Sequence, residues 1–143
     1  FVANQYVQGG PTPDDYTGTG FDKGHAAPDG DLSWDQQVEY ESFLMTNMYP
    51  QRGSLNRGIW KLLETSVRGW TVQRNQSYTI YVGGVYNAQD KKIGSGVVVP
   101  HAFYKIVVNN QPFAALENNG FHSGARVNEI GVVNGRPCVA VIF

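Results

Sequence analysis

Cysteine is nearly absent. Cys138 stands alone among 143 residues, so no disulfide can form within the chain, and cysteine gives no sign of an oxidising compartment. It lies in the apolar run Cys138-Val139-Ala140-Val141-Ile142-Phe143, where a small buried residue is expected rather than a reactive thiol. No apolar stretch approaches the roughly 20 residues that cross a bilayer, so no membrane partner is expected. No signal peptide is recognisable and the chain begins at Phe1 rather than Met. The expectation is a processed form or a cut piece whose targeting segment is gone. A cationic excess is missing too, since the net charge is −1. Domains that hold nucleic acid by bulk charge are usually strongly basic, and that class is disfavoured. An enzyme on phosphate needs only a local basic site and a metal cation of its own. There is no internal repeat and no low-complexity tract.

What is present suits one folded domain over residues 1–143, truncation at either end left open: 41% hydrophobic and 13% aromatic residues are enough for a core. The 17 glycines and 7 prolines speak for many turns and against a long helical bundle. Phe1–Val7 reads as a short strand, Gln8–Gly20 as loop and Phe21–Ala26 as an extended segment. Pro28-Asp29-Gly30-Asp31 is a turn signal. A short helix is predicted from Ser33 to Glu41, with Ser33 as cap and Gln36 completing a capping box. Phe43–Met48 reads as a strand that Pro50-Gln51-Arg52-Gly53 breaks. The best-defined helix runs from about Asn56 to Arg68. Leu55, Ile59, Leu62 and Leu63 give it one apolar face, and Gly69 stands where a terminal glycine is expected. The remainder is β-rich: Ser77–Val85, Gly96–Val99, Phe103–Val108, then Val127–Val133 and Pro137–Phe143 around the hairpin signal Asn134-Gly135.

Two groups of residues carry chemistry. In Asp22-Lys23-Gly24-His25 an extended backbone puts Lys23 and His25 on one face, and Gly24 allows close approach. A neutral imidazole can take a proton from water while a neighbouring cation stabilises phosphate oxygens and lowers the histidine pKa. Taken alone, a surface histidine is the commoner reading of so short a motif. On the helix, Glu64 and Arg68 are four apart and share a face, and Asn56 lies two turns before Glu64 within about 80° around the axis. An amide oxygen and a carboxylate are hard donors suited to Mg²⁺. A solvated Glu–Arg pair is the bland alternative. His101 and His122 have no second ligand at a known spacing and read as structural or surface residues. Trp60, among the helix leucines, reads as core.

The order of these pieces resembles the sugar-nonspecific DNA/RNA endonucleases, the ββα-metal or His-Me finger group that includes secreted bacterial nucleases and mitochondrial endonuclease G. The resemblance covers about Tyr16 to Lys105. It rests on Gly20-Phe21-Asp22-Lys23-Gly24-His25-Ala26-Ala27-Pro28, on Thr46-Asn47-Met48-Tyr49-Pro50-Gln51, on Leu55-Asn56-Arg57-Gly58-Ile59-Trp60-Lys61-Leu62-Leu63-Glu64 with Arg68 beyond it, and on Val99-Pro100-His101-Ala102-Phe103-Tyr104-Lys105.

The resemblance implies an α+β fold, with a mostly antiparallel central sheet carrying the finger. It also implies a Mg²⁺-dependent endonuclease acting on DNA and RNA with little sequence preference and leaving 5′-phosphates. His25 would activate water, Asn56 would be the sole direct protein ligand of Mg²⁺, and Glu64 would hold a water bound to the metal. Arg68 would contact the phosphate near the leaving oxygen, and Asn47 would position His25 or the phosphate. Lys23 stands where the family usually has Arg, which keeps the charge but loses the two-pronged grip on phosphate. Arg57 and Lys61 are candidates for backbone phosphates. Mn²⁺ or Ca²⁺ in place of Mg²⁺, a homodimer and a protein inhibitor are left open. Beyond Lys105 the family pattern is not recognisable in the motifs. Two alternatives stand beside this reading: a nuclease-like domain that binds nucleic acid with little turnover, and a phosphodiesterase for small nucleotide esters. The compartment is undetermined, with a secreted or periplasmic bacterial setting favoured.

Overall fold

A computed structural model describes residues 1–111, 129–133 and 136–142. The architecture is α+β, as expected. Strand β1 (Phe21–His25) pairs antiparallel with β2 (Met48–Arg52), in register from Phe21 opposite Arg52 to His25 opposite Met48. Between them lie one helical turn, α1 (Asp29–Leu32), and the short helix α2 (Gln36–Ser42). A wide turn, Leu55–Trp60, leads into the long helix α3 (Lys61–Arg74). Strands β3 (Tyr78–Val85), β4 (Lys92–Ile93), β5 (Val97–Val98), β6 (Ala102–Asn109), β7 (Glu129–Val133) and β8 (Arg136–Ile142) follow. The larger sheet has the order β3-β6-β8-β7, and each of its neighbouring pairs is antiparallel.

Several boundaries differ from the sequence expectation, each for a local reason. Residues 1–7 form no strand; only Val2 makes a bridge, parallel to Leu44. The first true helix begins at Asp35 rather than Ser33, because the Asp35 carboxylate accepts from the amides of Gln37 and Val38 at 2.8 and 3.0 Å and so satisfies two donors that the helix start leaves open. The second finger strand is Met48–Arg52, not Phe43–Met48; Met45–Asn47 is a 3₁₀ turn. Pro50 lies inside β2, opposite Lys23, which a two-stranded ribbon tolerates because either strand is an edge. Gly69 does not end α3. The apolar side continues through Leu63, Val67 and Trp70 onto Val107 and Tyr78, and the helix stops where Asn75 turns left-handed at φ 48°, ψ 47°. The pair Asn134-Gly135 and His122 lie outside the described residues, as does the side chain of Cys138, although β8 carries Cys138 opposite Val108 and Gly131.

Among the described residues, two apolar clusters form the core. One is the α3 face on β6. The other gathers Tyr16, Met45, Met48 and Ile93 beneath the finger ribbon. The Asp15 carboxylate ties that second cluster shut, accepting from the Ser95 amide and hydroxyl at 2.6 and 2.7 Å and from the Thr12 amide at 2.7 Å. Edge-on aromatic contacts join the two lobes: Phe103 of β6 meets Tyr49 at 5.7 Å and Trp60 at 5.8 Å.

Candidate functional site

The site begins at the ribbon. Gly24 has no side chain because Gln51 occupies the space: a Cβ there would overlap the Gln51 amide group. Gln51 is 0% exposed, and both of its amide atoms are without hydrogen-bond partners among the described residues. The register puts Asp22 opposite Gln51, on the side of the ribbon that faces the wide turn. There Asp22 Oδ2 accepts from Asn56 Nδ2 at 3.0 Å and pairs with Arg57 Nε at 3.1 Å. With its nitrogen so engaged, the Asn56 amide leaves Oδ1 without a hydrogen bond among the described residues. The wide turn, in which Gly58 departs from helical geometry (φ −101°, ψ −114°), sets Asn56 just before α3.

Asn56, Arg57, Lys61, Glu64, Thr65 and Arg68 line one cleft of about 250 Å³, closed on its other side by Pro28–Gly30. Five of the residues that the sequence singled out therefore converge: Asn56, Arg57, Lys61, Glu64 and Arg68. The Arg68 guanidinium is held by Asp31, Nε to Oδ1 at 2.7 Å, and passes against Gly30. Burial pushes the Glu64 carboxyl up from the usual carboxylate range, and the Lys105 ammonium opposes that shift. Lys105 is 1% exposed; its Nζ donates to Glu64 Oε1 at 3.3 Å and sits 4.4 Å from the centre of the Trp60 ring. Burial lowers the Lys105 pKa, against the pull of Glu64.

His25 ends β1 beside the cleft but is not among its lining residues. Its ring packs edge-on against Phe43 at 5.3 Å and tilted against Phe1 at 5.7 Å. Nε2 is enclosed without a hydrogen-bond partner among the described residues. Burial holds its pKa below the ordinary histidine value, partly countered by the Asp29 charge. The His25 carbonyl accepts from Trp60 Nε1 at 3.2 Å, so the core tryptophan also fixes the strand end. Lys23 shares the His25 face: its ammonium lies 5.4 Å from the Phe1 ring and 5.6 Å from the Tyr16 ring. Among the described residues, Asn47 makes no hydrogen bond to the His25 side chain, and it does not line the cleft. It accepts from the Ala27 amide at 3.0 Å and donates to the carbonyls of Ala27 and Ser42 at 2.8 and 2.9 Å, while its own carbonyl receives the Ala26 amide. It thus clamps the chain leaving His25. His101 is exposed and bonded to Asp90 and Asn87.

Sequence reasoning missed Asp22, Asp31 and Lys105 as working parts. Asp22 and Lys105 lie inside the quoted motifs, but only the contacts reveal what they hold. The donor set fits a hard cation: an amide oxygen whose nitrogen is held by Asp22, with the Glu64 carboxylate of the first turn of α3 lining the same cleft. Among the described residues, no three of His, Cys, Asp and Glu converge, so such a cation would rely on Asn56, on water and on substrate oxygens, as Mg²⁺ commonly does.

A family model described as DNA/RNA non-specific endonuclease matches residues 1–134, extending in both directions past the span that the motifs carry. A nuclease of Nostoc sp. is 36% identical over 124 residues, covering 86% of this chain and 44% of the relative. The mitochondrial nuclease of Saccharomyces cerevisiae is 32% identical, covering 70% of this chain and 34% of the relative. Human mitochondrial endonuclease G is 29% identical, over 66% and 35%. A solved complex of EndoG with EndoGI, described in terms of EndoG inhibition, superposes with a TM-score of 0.63 at 31% identity, over 69% of this chain and 45% of that one. The chain spans less than half the length of each of these relatives.

Proposed function

The chain belongs to the DNA/RNA non-specific endonuclease family, and from that footing we propose that residues 1–143 are a single nuclease domain that hydrolyses phosphodiester bonds of DNA and RNA with little sequence preference. The observation that carries this reading is the cleft in which Asn56, Glu64 and Arg68 meet two further cations, Arg57 and Lys61. Nothing in that set is shaped to read a base edge; cations and amides of this kind position phosphates.

A Mg²⁺ ion, with Mn²⁺ or Ca²⁺ as substitutes, would supply charge stabilisation at the phosphate and at the departing 3′ oxygen. Asn56 would hold it through Oδ1, and Glu64 would accept hydrogen bonds from the water around it. Arg68, carried by Asp31, stabilises charge on the phosphate. Arg57 and Lys61 receive neighbouring phosphates. His25 takes the proton of the attacking water. With Nε2 enclosed, the accepting atom is Nδ1, and burial keeps the ring neutral and basic. Water adds to phosphorus as His25 takes its proton, the bond to the 3′ oxygen breaks, and that oxygen takes a proton from solvent, to which His25 later returns its own; a 5′-phosphate and a 3′-hydroxyl result. Lys23 adds positive charge on the His25 face, and Asn47 positions His25 indirectly, through Ala26 and Ala27. A protein inhibitor of the kind in the EndoG–EndoGI complex would fit the same cleft-based reading.

The test is direct. Supercoiled plasmid and a structured RNA are incubated with the protein and Mg²⁺, with and without chelator. Cleavage of both, lost on chelation, is expected. His25→Ala should lower kcat by about 10²–10⁴-fold, the usual range for a general base, with an unchanged circular-dichroism spectrum. Full activity in His25→Ala refutes the base assignment. Binding without cleavage by the parent protein refutes the enzyme reading.

A further inference from the structure

We infer that Lys105, at the middle of the central sheet, is a positioning residue that fixes the Glu64 carboxylate and, through the Trp60 ring, holds it in place relative to the strand that ends at His25. The inference rests on the metal-assisted reading above.

Its basis is the cost of what is observed. Lys105 lies on β6 opposite Val82 on one side and Val141 on the other, and is 1% exposed. An apolar residue would suit that strand position better, because an ammonium taken out of water is costly unless paired, and such pairs seldom add net stability. The ammonium has two partners among the described residues: Glu64 Oε1 at 3.3 Å and the face of Trp60 at 4.4 Å. Glu64 in turn has no other ion pair among the described residues, since Arg68 is engaged by Asp31 and Arg57 by Asp22. One carboxylate oxygen is thus pinned, and the other is left for the cleft that Glu64 lines.

Trp60 makes the arrangement more than a pair. Its indole N–H donates to the His25 carbonyl at 3.2 Å, and its ring carries Lys105. The run His25, Trp60, Lys105, Glu64 therefore crosses from the base to the metal side through a continuous chain of contacts centred on the buried Trp60 and Lys105. Outer groups that orient a metal site commonly change affinity or rate by about 10–100-fold when removed.

The experiment measures Mn²⁺ binding by electron paramagnetic resonance without substrate, and kcat and KM on DNA separately. Lys105→Met is expected to bind Mn²⁺ about tenfold more weakly and to lose about 10–100-fold in kcat, with KM within about twofold. A merely structural lysine would lower the melting temperature but leave Mn²⁺ affinity per folded molecule unchanged. Parent-like Mn²⁺ affinity and kcat in folded Lys105→Met overturn the proposal. If that variant does not fold, Lys105→Gln, which is uncharged and one atom too short to keep the contact with Glu64, replaces it: weaker Mn²⁺ binding supports the role and parent-like binding overturns it. Trp60→Phe keeps a ring under Lys105 but removes the donor to His25. It should retain Mn²⁺ affinity and lose kcat, and parent-like kcat there overturns the link to His25. Asn56→Ala separates the two readings. If it binds Mn²⁺ as the parent does, the metal reading fails. If it loses Mn²⁺ while Lys105→Met does not, only the role of Lys105 fails.

Discussion

At His25, burial rather than the neighbouring lysine is the main cause of the depressed pKa. The sequence pattern pointed to Lys23 as the cause, which is not among those acting on the ring, because the packing by Phe43 and Phe1 comes from segments 18 and 24 residues away in the chain. The sign has two consequences. A lowered pKa keeps the base form present at lower pH, so the acid limb of kcat/KM should titrate below the ordinary histidine value of about 6.5. For stability, the unfolded chain binds the proton first as pH falls. Stability from this group is therefore full above about 6.5 and declines from there down to the folded pKa. Denaturant titrations at pH 5 and pH 8 should show that decline, and His25→Phe should flatten it. Gly24 makes a second prediction. Gln51 is wholly enclosed and cannot swing away, so Gly24→Ala must displace a buried amide. A loss of about 1–3 kcal/mol is expected, as for other overpacked sites, read as a lower denaturation midpoint at constant slope. Nothing in the sequence marks Gln51 as the reason for that glycine.

At the scale of elements, the first strand and the helix of the finger were legible apart from their ends, while the second strand was misplaced: Pro50 read as a break, yet it lies inside β2. Apolar spacing found α3, but Gly69 attracted the helix end because glycine is the usual left-handed cap. The helix instead continues for as long as Val67 and Trp70 find Val107 and Tyr78, contacts that depend on a sheet formed later in the chain. Asn75 then takes the left-handed turn, its amide donating to the Thr71 carbonyl. Asn75→Ala should cost about 1–2 kcal/mol, the penalty for a Cβ in that region, whereas Asn75→Gly should be neutral or stabilising in thermal melts. The wide turn before α3 was hidden for a different reason. Gly58 is a poor helix former, but one glycine within apolar helical spacing does not tell a tolerated residue from the departure seen there, and that turn is what places Asn56 against Asp22.

Across the whole molecule, the net charge of −1 sets the terms on which a polyanion is held. On the proposed function, attraction comes from the cleft, where Arg57, Lys61 and Arg68 gather, rather than from the overall field. The cations are not equivalent. Arg68 is fixed by Asp31 at 2.7 Å, while Arg57 is largely exposed on its tether to Asp22 and Lys61 makes no ion pair among the described residues. The exposed pair is thus suited to release counterions from flanking phosphates, and the fixed one to the reacting phosphate. Each phosphate contact contributes a slope of about −0.9 to a plot of log affinity against log salt on duplex DNA. Replacing Arg57 and Lys61 together by alanine should raise KM and make that slope shallower by about 1.5–2. Measuring KM between low and moderate salt tests this. A slope as steep as the parent's would mean that the polymer is held by charges elsewhere on the surface, and that the cleft serves the reacting phosphate alone.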